Sequence, residues 1–125
     1  MPEQDNRDAV ERYLKVFERG NLEAAADFLH DDYVEEYPQS GERIRGKQNW
    51  LSIVKAYPSL PKMIDYSLEV GGELCVLEAT LEYDSNRVYV CGIFEVRDGK
   101  IKRAREYFGE PFEALQWRAQ WVERM

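Results

Sequence analysis

Two glutamates followed by a tyrosine and a proline stand in a segment that otherwise has the pattern of a strand and a turn, YVEEYPQSGERIRGKQ from Tyr33 onward. A carboxyl group can exchange a proton with a ligand, and a tyrosine hydroxyl can donate a hydrogen bond to it. Because neighbouring strand residues point to opposite faces, only one of Glu36 and Tyr37 can face an interior cavity, and a bulge would change which one. We expect Glu35 to face solvent or to pair with an arginine across the hairpin.

The last segment with strand character, KIKRAREYF, contains another candidate acid, Glu106. The preceding RDG can turn in two ways: a two-residue turn would point Arg103 and Arg105 to the interior, whereas a bulge at Gly99 would point Glu106 there. Burying two unpaired arginines costs more than burying one protonatable carboxyl, which favours the bulge. Glu106 is then a desolvated acid with a raised pKa, able to exchange a proton beside a ligand. Pairing of Glu106 with a neighbouring arginine is the structural alternative.

Three helical segments precede the strands. Apolar residues recur every three or four positions in the first, including Tyr13 and Phe17, and in the third, including Trp50 and Val54. The second half alternates strand patterns with turns, as in an antiparallel meander. This order predicts an α+β fold, one domain over residues 1–125 in which a cone-shaped, curved antiparallel sheet wraps around three N-terminal helices and closes a pocket. From the helices, Phe17, Trp50 and Val54 are expected to line this pocket. Tyr13 either donates a hydrogen bond to a ligand or is a core residue with its hydroxyl at the edge.

The strand RVYVCGIFEV has two different faces. Val88, Val90 and Phe94 lie on the wholly apolar face, which is expected to line the pocket. The opposite face is mixed, but its centre is too apolar for open water. The residues at that centre are Tyr89, Cys91 and Ile93. They predict a homodimer that forms through the outer sheet face.

The C-terminal segment EPFEALQWRAQWVERM places Trp117 and Trp121 four residues apart. Residues at this spacing lie on the same side of a helix. The segment is therefore predicted to form a short helix that docks against the body of the domain.

The composition limits the kinds of molecule that the chain is expected to bind. A formal charge of −7, from 24 acidic against 17 basic residues, disfavours binding to nucleic acid or to an anionic membrane. The chain shows neither a membrane span nor a secretory signal, so we expect a cytoplasmic protein. Cys75 and Cys91 lack CxxC spacing, so buried reduced thiols are favoured over a disulfide or a metal site. No nucleotide-binding or zinc-protease motif is present, and we expect neither metal nor cofactor.

Two stretches, AVERYLKVFERGNLEAAADFLHDDYVEEYP and GIFEVRDGKIKRAREYF, carry a resemblance. The first resembles the start of ketosteroid isomerases, and the second resembles the last hairpin of limonene epoxide hydrolases. Both groups belong, with the SnoaL-like polyketide cyclases, to the nuclear transport factor 2 superfamily, and the resemblance covers nearly the whole chain. It implies the fold rather than one reaction, because the superfamily hosts several chemistries.

This sequence matches some catalytic positions of the ketosteroid isomerases and lacks others. Tyr13 matches the tyrosine that donates to the substrate in the isomerases, but Tyr37 stands where their base aspartate precedes a proline. Their second acid falls near Gly92, so steroid isomerisation by that mechanism is not expected.

The hydrolase comparison matches Glu106 to a catalytic aspartate of that family. Its arginine and second aspartate fall near Ala79 and Leu81, so the water-positioning arrangement is absent. The same alignment adds Tyr83 and Phe108 to the expected pocket lining and also includes Val88 and Val90.

Two functions therefore stand as hypotheses. In the first, the chain binds a small, largely apolar molecule and performs acid-base chemistry such as isomerisation, cyclisation, dehydration or hydration. Glu106 would then be the acid or base, with Tyr13 or Tyr37 as hydrogen-bond donor and Glu36 as the competing acid. In the second, the chain is a non-catalytic ligand-binding or dimeric interaction domain in which the same residues are packed.

Overall fold

The computed structural model describes residues 2–125, and its α-helices all lie in the first half of the described chain. The α-helices are α1 (Pro2–Glu18), α2 (Leu22–Ala26) and α3 (Lys47–Ala56). The strands are β1 (Leu29–Tyr37), β2 (Glu42–Arg45), β3 (Lys62–Gly71), β4 (Leu74–Tyr83), β5 (Asn86–Arg97) and β6 (Lys100–Gly109). A 3₁₀ helix, Gln116–Trp121, lies in the C-terminal tail.

The strands form one six-stranded, curved and unclosed sheet in the order β2-β1-β6-β5-β4-β3. The α+β prediction, with N-terminal helices against a curved sheet, is confirmed. One detail differs, because β1 pairs with β6 in parallel while the other neighbours are antiparallel. A parallel pair requires a long connection between its strands, and here α3 and the β3–β5 meander provide it.

The helices cover the inner face of the sheet. Asn21 caps α2 by accepting a hydrogen bond from the Ala24 amide at 3.2 Å, directly after Gly20 has ended the preceding turn with φ of 81°. From α1 and α3, Tyr13 and Trp50 bring their aromatic rings together, with ring centroids 6.1 Å apart. Among residues 2–125, no helix combines the length and the apolar character that crossing a membrane requires.

The β5–β6 hairpin decides which side of β6 faces the helices. Its turn is the two-residue form at Asp98 and Gly99, with φ of 54° and 75°. The pairing then shifts between Glu95 and Val96, which leaves Lys102 as an extra residue on β6. The expected bulge at Gly99 is therefore wrong in position. The expected register is right, because the shift at Lys102 places Glu106 opposite Gly92 on the inner face.

The C-terminal tail does not dock on the body of its own chain as expected. The side chains of Trp117 and Trp121 are 73% and 71% exposed, and the segment forms a 3₁₀ turn instead of a packed α-helix. The spacing of Trp117 and Trp121 would place both rings on the same side of an α-helix. In the described residues, neither ring is buried against the rest of the domain.

We predict that Trp50→Ala destabilises the domain by about 3–5 kcal/mol, because the indole is only 2% exposed and its removal leaves a cavity among other aromatic rings. Denaturant unfolding measures the change. Ile53→Ala, on the same helix but 41% exposed in the native residue, is the matched control and is expected to cost less than about 1 kcal/mol. Equal losses in the two variants would contradict this account of the core.

Candidate functional site

A cavity of about 140 Å³ lies between the helices and the inner face of the sheet. Its wall includes three of the four residues for which chemistry was expected, Tyr13, Tyr37 and Glu106. Seven of the eight expected lining residues also lie in the wall: Phe17, Trp50, Val54, Tyr83, Val90, Phe94 and Phe108.

Val88 is the lining residue that the structure places elsewhere. It lies near the β4–β5 turn, and its cross-strand neighbour Leu81 occupies the wall instead. The apolar face of β5 therefore extends beyond the end of the cavity, so alternation alone could not show which of its residues reach a ligand.

Glu35, which we expected at the surface, is a wall residue and only 3% exposed, so that expectation was wrong. Strand alternation explains the result, because Tyr33, Glu35 and Tyr37 are two residues apart on β1 and share its inner face. The Tyr33 hydroxyl donates to Glu35 Oε1 at 2.5 Å, and the Tyr37 hydroxyl donates to Glu35 Oε2. A buried carboxyl needs such donors, since burial without them is costly.

Glu36 points the other way, so the structure corrects its assignment as a candidate acid of the cavity. Its carboxylate accepts hydrogen bonds from Arg103 at 2.6 Å, Arg43 at 3.0 Å and Arg105 at 3.4 Å. The hydrogen bonds from Arg103 and Arg43 lower the pKa of Glu36 from 4.5 to about 2. Glu36 is therefore held charged on the outer face of the sheet, away from the cavity.

Glu106 approaches Glu35 from the neighbouring strand. Alanine at position 92 would bring a Cβ to 3.1 Å from the Phe94 ring and 3.8 Å from Glu106 Cγ, so Gly92 leaves room for both side chains. Burial raises the pKa of Glu106 well above its usual value, and the charge of Glu35 and the hydrogen bond between the two carboxyls add to the effect. The raised pKa favours the protonated form of Glu106, which can donate a hydrogen bond to Glu35.

Tyr13 completes the polar part of the wall. Burial raises its pKa well above 10.0, and the charges of Glu35 and Glu106 raise it further, so it stays a neutral phenol. Its ring packs on the rings of Phe17 and Phe94, with centroids 6.1 and 6.4 Å apart. The same ring is therefore a core residue and a wall residue, and the two interpretations of Tyr13 are compatible.

The charges around the cavity have one sign. The acids of its wall are Glu18, Glu35 and Glu106, and the described wall contains no lysine, arginine or histidine. The remaining wall is mostly aromatic and aliphatic. Such a cavity can take a neutral or cationic group but provides no cation to pair with an anion.

Two residues of this site, Tyr33 and Glu35, were missed at the level of sequence. Their signal was the spacing Tyr33-x-Glu35-x-Tyr37, which places a carboxyl between two phenols on one strand face. The adjacent Glu36 obscured it, because which of two neighbouring glutamates points inward depends on the strand register.

We predict that Glu106 makes the domain less stable as the pH rises above 4.5. Its folded-state pKa is raised, so its stabilising contribution is complete below the usual value of 4.5 and is lost as the pH rises through the folded-state pKa. The free energy of unfolding should fall by at most about 1.4 kcal/mol per pH unit in that range. Unfolding at several pH values should show a flatter profile for Glu106→Gln than for the unmodified chain.

The exposed Glu78 supplies the control for this experiment, and Glu78→Gln should keep the wild-type slope. Glu36 does not interfere, because its lowered pKa acts between pH 4.5 and about 2. The same slope of unfolding free energy against pH in Glu106→Gln and in the unmodified chain would show that the folded-state pKa of Glu106 is not raised.

The comparisons with known proteins agree with this fold. The chain aligns over all of its length with 98% of an NTF-2 like protein of unknown function from Burkholderia xenovorans LB400, at 33% identity and a TM-score of 0.87. It also aligns over its whole length with 93% of a proposed ketosteroid isomerase from Kribbella flavida DSM 17836, at 25% identity and a TM-score of 0.92.

An LEH-like epoxide hydrolase from M. tuberculosis is similar over 86% of this chain and 85% of its own, at 27% identity and a TM-score of 0.72. No curated protein matches the chain. The family model of the SnoaL-like domain matches residues 10–104, which include every strand up to the middle of β6. The chain belongs to the SnoaL-like domain family.

Proposed function

We propose that this protein binds a small, largely apolar molecule in the cavity and transfers a proton to or from it without a cofactor. The observation that carries the proposal is the pair of facing carboxyls, Glu35 and Glu106, at the wall of an otherwise apolar cavity. A carboxyl with a raised pKa keeps its proton at a higher pH than an ordinary carboxyl, and its carboxylate form is a stronger base. Strongly shifted acids in clefts are candidates for catalysis.

The roles follow from the hydrogen bonds. Tyr33 and Tyr37 both donate to Glu35, so in this proposal they orient that carboxyl and do not contact the ligand. Of the two candidate donors, Tyr13 is the one that makes no hydrogen bond to Glu35 within residues 2–125, and in this proposal it donates to an oxygen of the ligand. Glu106, on β6, exchanges the proton with the ligand. The proposed hydrogen-bond donor to the ligand is therefore Tyr13 and not Tyr37.

For a ligand with a carbonyl group, the proposed step is the transfer of a proton from carbon to Glu106. The carboxylate of Glu106 takes a proton from the carbon next to the carbonyl, the electron pair of that C–H bond moves towards the carbonyl oxygen, and the Tyr13 hydroxyl stabilises the charge that develops there. Return of the proton to the same or another carbon regenerates Glu106. The names of two structural neighbours, a proposed ketosteroid isomerase and an LEH-like epoxide hydrolase, support the acid-base class.

The charge of the wall restricts the ligand. With Glu18, Glu35 and Glu106 as its acidic residues and no basic residue, the described wall favours a neutral molecule or one with a basic nitrogen. A carboxylate or phosphate ester would lose its hydration without gaining a cation in return.

The competing function is non-catalytic binding, and one observation favours it. The Glu35 carboxyl already has partners in Tyr33, Tyr37 and Glu106, and such a satisfied network can serve structure alone. Binding and turnover must therefore be measured separately.

Our prediction for turnover uses cyclohexanone in D₂O, followed by proton NMR. The unmodified protein should accelerate exchange of the protons next to the carbonyl over buffer alone, and Glu106→Gln should remove at least about 100-fold of the acceleration, because the amide cannot exchange a proton in the same way. Tyr13→Phe should slow exchange as well. Glu36→Gln, which changes an acid on the outer face, should leave the exchange rate unchanged.

Cyclohexanone that shifts the NMR signals of wall residues without any accelerated exchange would assign the cavity to binding alone. Exchange that survives in Glu106→Gln would remove Glu106 from the mechanism. Loss of exchange in Glu36→Gln, with the fold intact, would place the chemistry outside this cavity.

A separate prediction concerns the charge of the ligand. Cyclohexanol and cyclohexanecarboxylate have the same ring, but only the second is an anion at neutral pH. The alcohol should bind at least about 10-fold more tightly, because burial of an unpaired carboxylate beside two other carboxyls costs more than about 1.4 kcal/mol. NMR titration of wall residues measures both affinities. Equal or tighter binding of the carboxylate would contradict the proposed selectivity.

A further inference from the structure

The cavity between the helices and the sheet has an aromatic wall on both sides. On the helix side, the rings of Tyr13, Phe17 and Trp50 form a cluster with centroids between 6.0 and 6.1 Å apart. On the sheet side, the rings of Tyr37 and Phe108 lie 6.0 Å apart. All five residues line the cavity. The face of an aromatic ring is negative, so this wall attracts a positive charge as well as apolar groups.

The two buried acids of the same wall have no cation beside them among the described residues. Glu35 is 3% exposed, and a hydrogen bond joins it to Glu106. The wall contains no lysine, arginine or histidine in the described chain. Arg103 and Arg105, on the same strand as Glu106, bind Glu36 on the outer face instead. The chain thus provides cations for the outer acid and none for the inner pair.

The other polar groups near the inner pair are phenols. They come from α1, β1 and β4: Tyr13, Tyr33, Tyr37 and Tyr83. Burial raises the pKa of each phenol, and the charge of Glu106 adds to the effect, so all four are neutral near pH 7. Tyr13 is 7% exposed, and unlike Tyr33 and Tyr37 it does not donate to Glu35 within residues 2–125. Its hydroxyl oxygen can accept a hydrogen bond from an N–H group of a ligand.

A ligand with a positive charge would remove the repulsion between the two carboxyls. Burial raises the pKa of Glu106, and the charge of Glu35 and the hydrogen bond between them raise it further, so the protonated form is favoured in the empty cavity. A neighbouring cation favours the carboxylate instead. When an ammonium group enters, Glu106 gives its proton to the solvent, and the N–H groups of the ligand donate to the two carboxylates.

The surroundings favour a cation of small size. Glu18 is an exposed residue of the same wall, and the whole chain has a formal charge of −7, so the protein attracts cations and repels anions. The cavity of about 140 Å³ is close to the ~150 Å³ that holds one benzene ring in a protein interior. A single ring that carries one amino group matches both the volume and the charge.

We propose that the cavity binds a small organic ammonium ion, with its nitrogen beside Glu35 and Glu106 and its carbon atoms against the aromatic wall. Aromatic faces and carboxylates together recognise an organic cation, because the first stabilise a charge spread over carbon-bound hydrogens and the second accept its N–H groups. The inference rests on the ligand-binding part of the proposed function. It does not depend on proton transfer between Glu106 and a carbon atom.

Cyclohexylamine is the probe for this site, because an alkylamine is a cation up to about pH 10, as a lysine side chain is. In calorimetric titration at neutral pH it should bind at least about 10-fold more tightly than cyclohexanol, which has the same ring without the charge. Binding should release a proton, so the measured heat should depend on the ionisation enthalpy of the buffer. The affinity should rise with pH by at most about 10-fold per unit, and level off above the folded-state pKa of Glu106.

Two variants locate the charge. Glu106→Gln keeps the shape of the side chain, so it should weaken binding of cyclohexylamine at least about 10-fold, abolish the proton release and change the affinity for cyclohexanol less than about 2-fold. Glu36→Gln removes an acid of the outer face and should bind both probes as the unmodified chain does. If Glu106→Gln does not fold, the proton release of the unmodified chain decides the question.

Equal affinities for the two probes, or amine binding without proton release from about pH 5 to about pH 8, would overturn the ammonium site. Undiminished amine binding in folded Glu106→Gln would overturn the role of the acid pair. Accelerated exchange of cyclohexanone protons without amine binding would reject the ammonium site and retain the proposed proton transfer. Amine binding with proton release but without accelerated exchange would retain the ammonium site and reject the proton transfer.

Discussion

The burial of two facing carboxyls, Glu35 and Glu106, is the constraint around which the rest of this domain is arranged. Burial and the neighbouring charge of Glu35 raise the pKa of Glu106 and so favour its protonated form. The remaining hydrogen-bonding capacity of Glu35 is met by Tyr33 and Tyr37, whose own pKa values burial raises, so that both remain donors. An apolar cavity with an acid at its wall is stable in this form because each polar atom of Glu35 has a partner.

Strand geometry supplies the second part of the explanation. The extra residue at Lys102 shifts β6 by one position, which turns Glu106 inward and Arg103 and Arg105 outward. Without that shift, two guanidinium groups would enter the cavity and the acid would lie at the surface. One bulge therefore places an acid in the cavity wall and two arginines on the outer face of the sheet.

The sequence was sufficient for the fold and for part of the site. Helical periodicity and the succession of strands predicted the α+β arrangement, and the high cost of burying arginines correctly predicted that Glu106 points inward. Glu35 was not predictable in the same way, because adjacent glutamates on a strand are distinguished only by register. The tail was misjudged because the spacing of Trp117 and Trp121 shows that they would share one side of an α-helix, but not that the segment forms an α-helix or packs on the body of the domain.

The neighbouring acids of β1 show how environment decides the role of a residue type. Glu36 faces three guanidinium groups at the edge of solvent, and its pKa falls to about 2, so it is a permanent charge that links β1, β2 and β6. Glu35, one residue earlier, faces phenols and a second carboxyl in the interior. The lowered pKa keeps Glu36 charged near neutral pH, whereas the raised pKa of Glu106 beside Glu35 favours a protonated acid. Strand alternation therefore places one carboxyl of β1 among arginines on the outer face and its neighbour among phenols in the cavity wall.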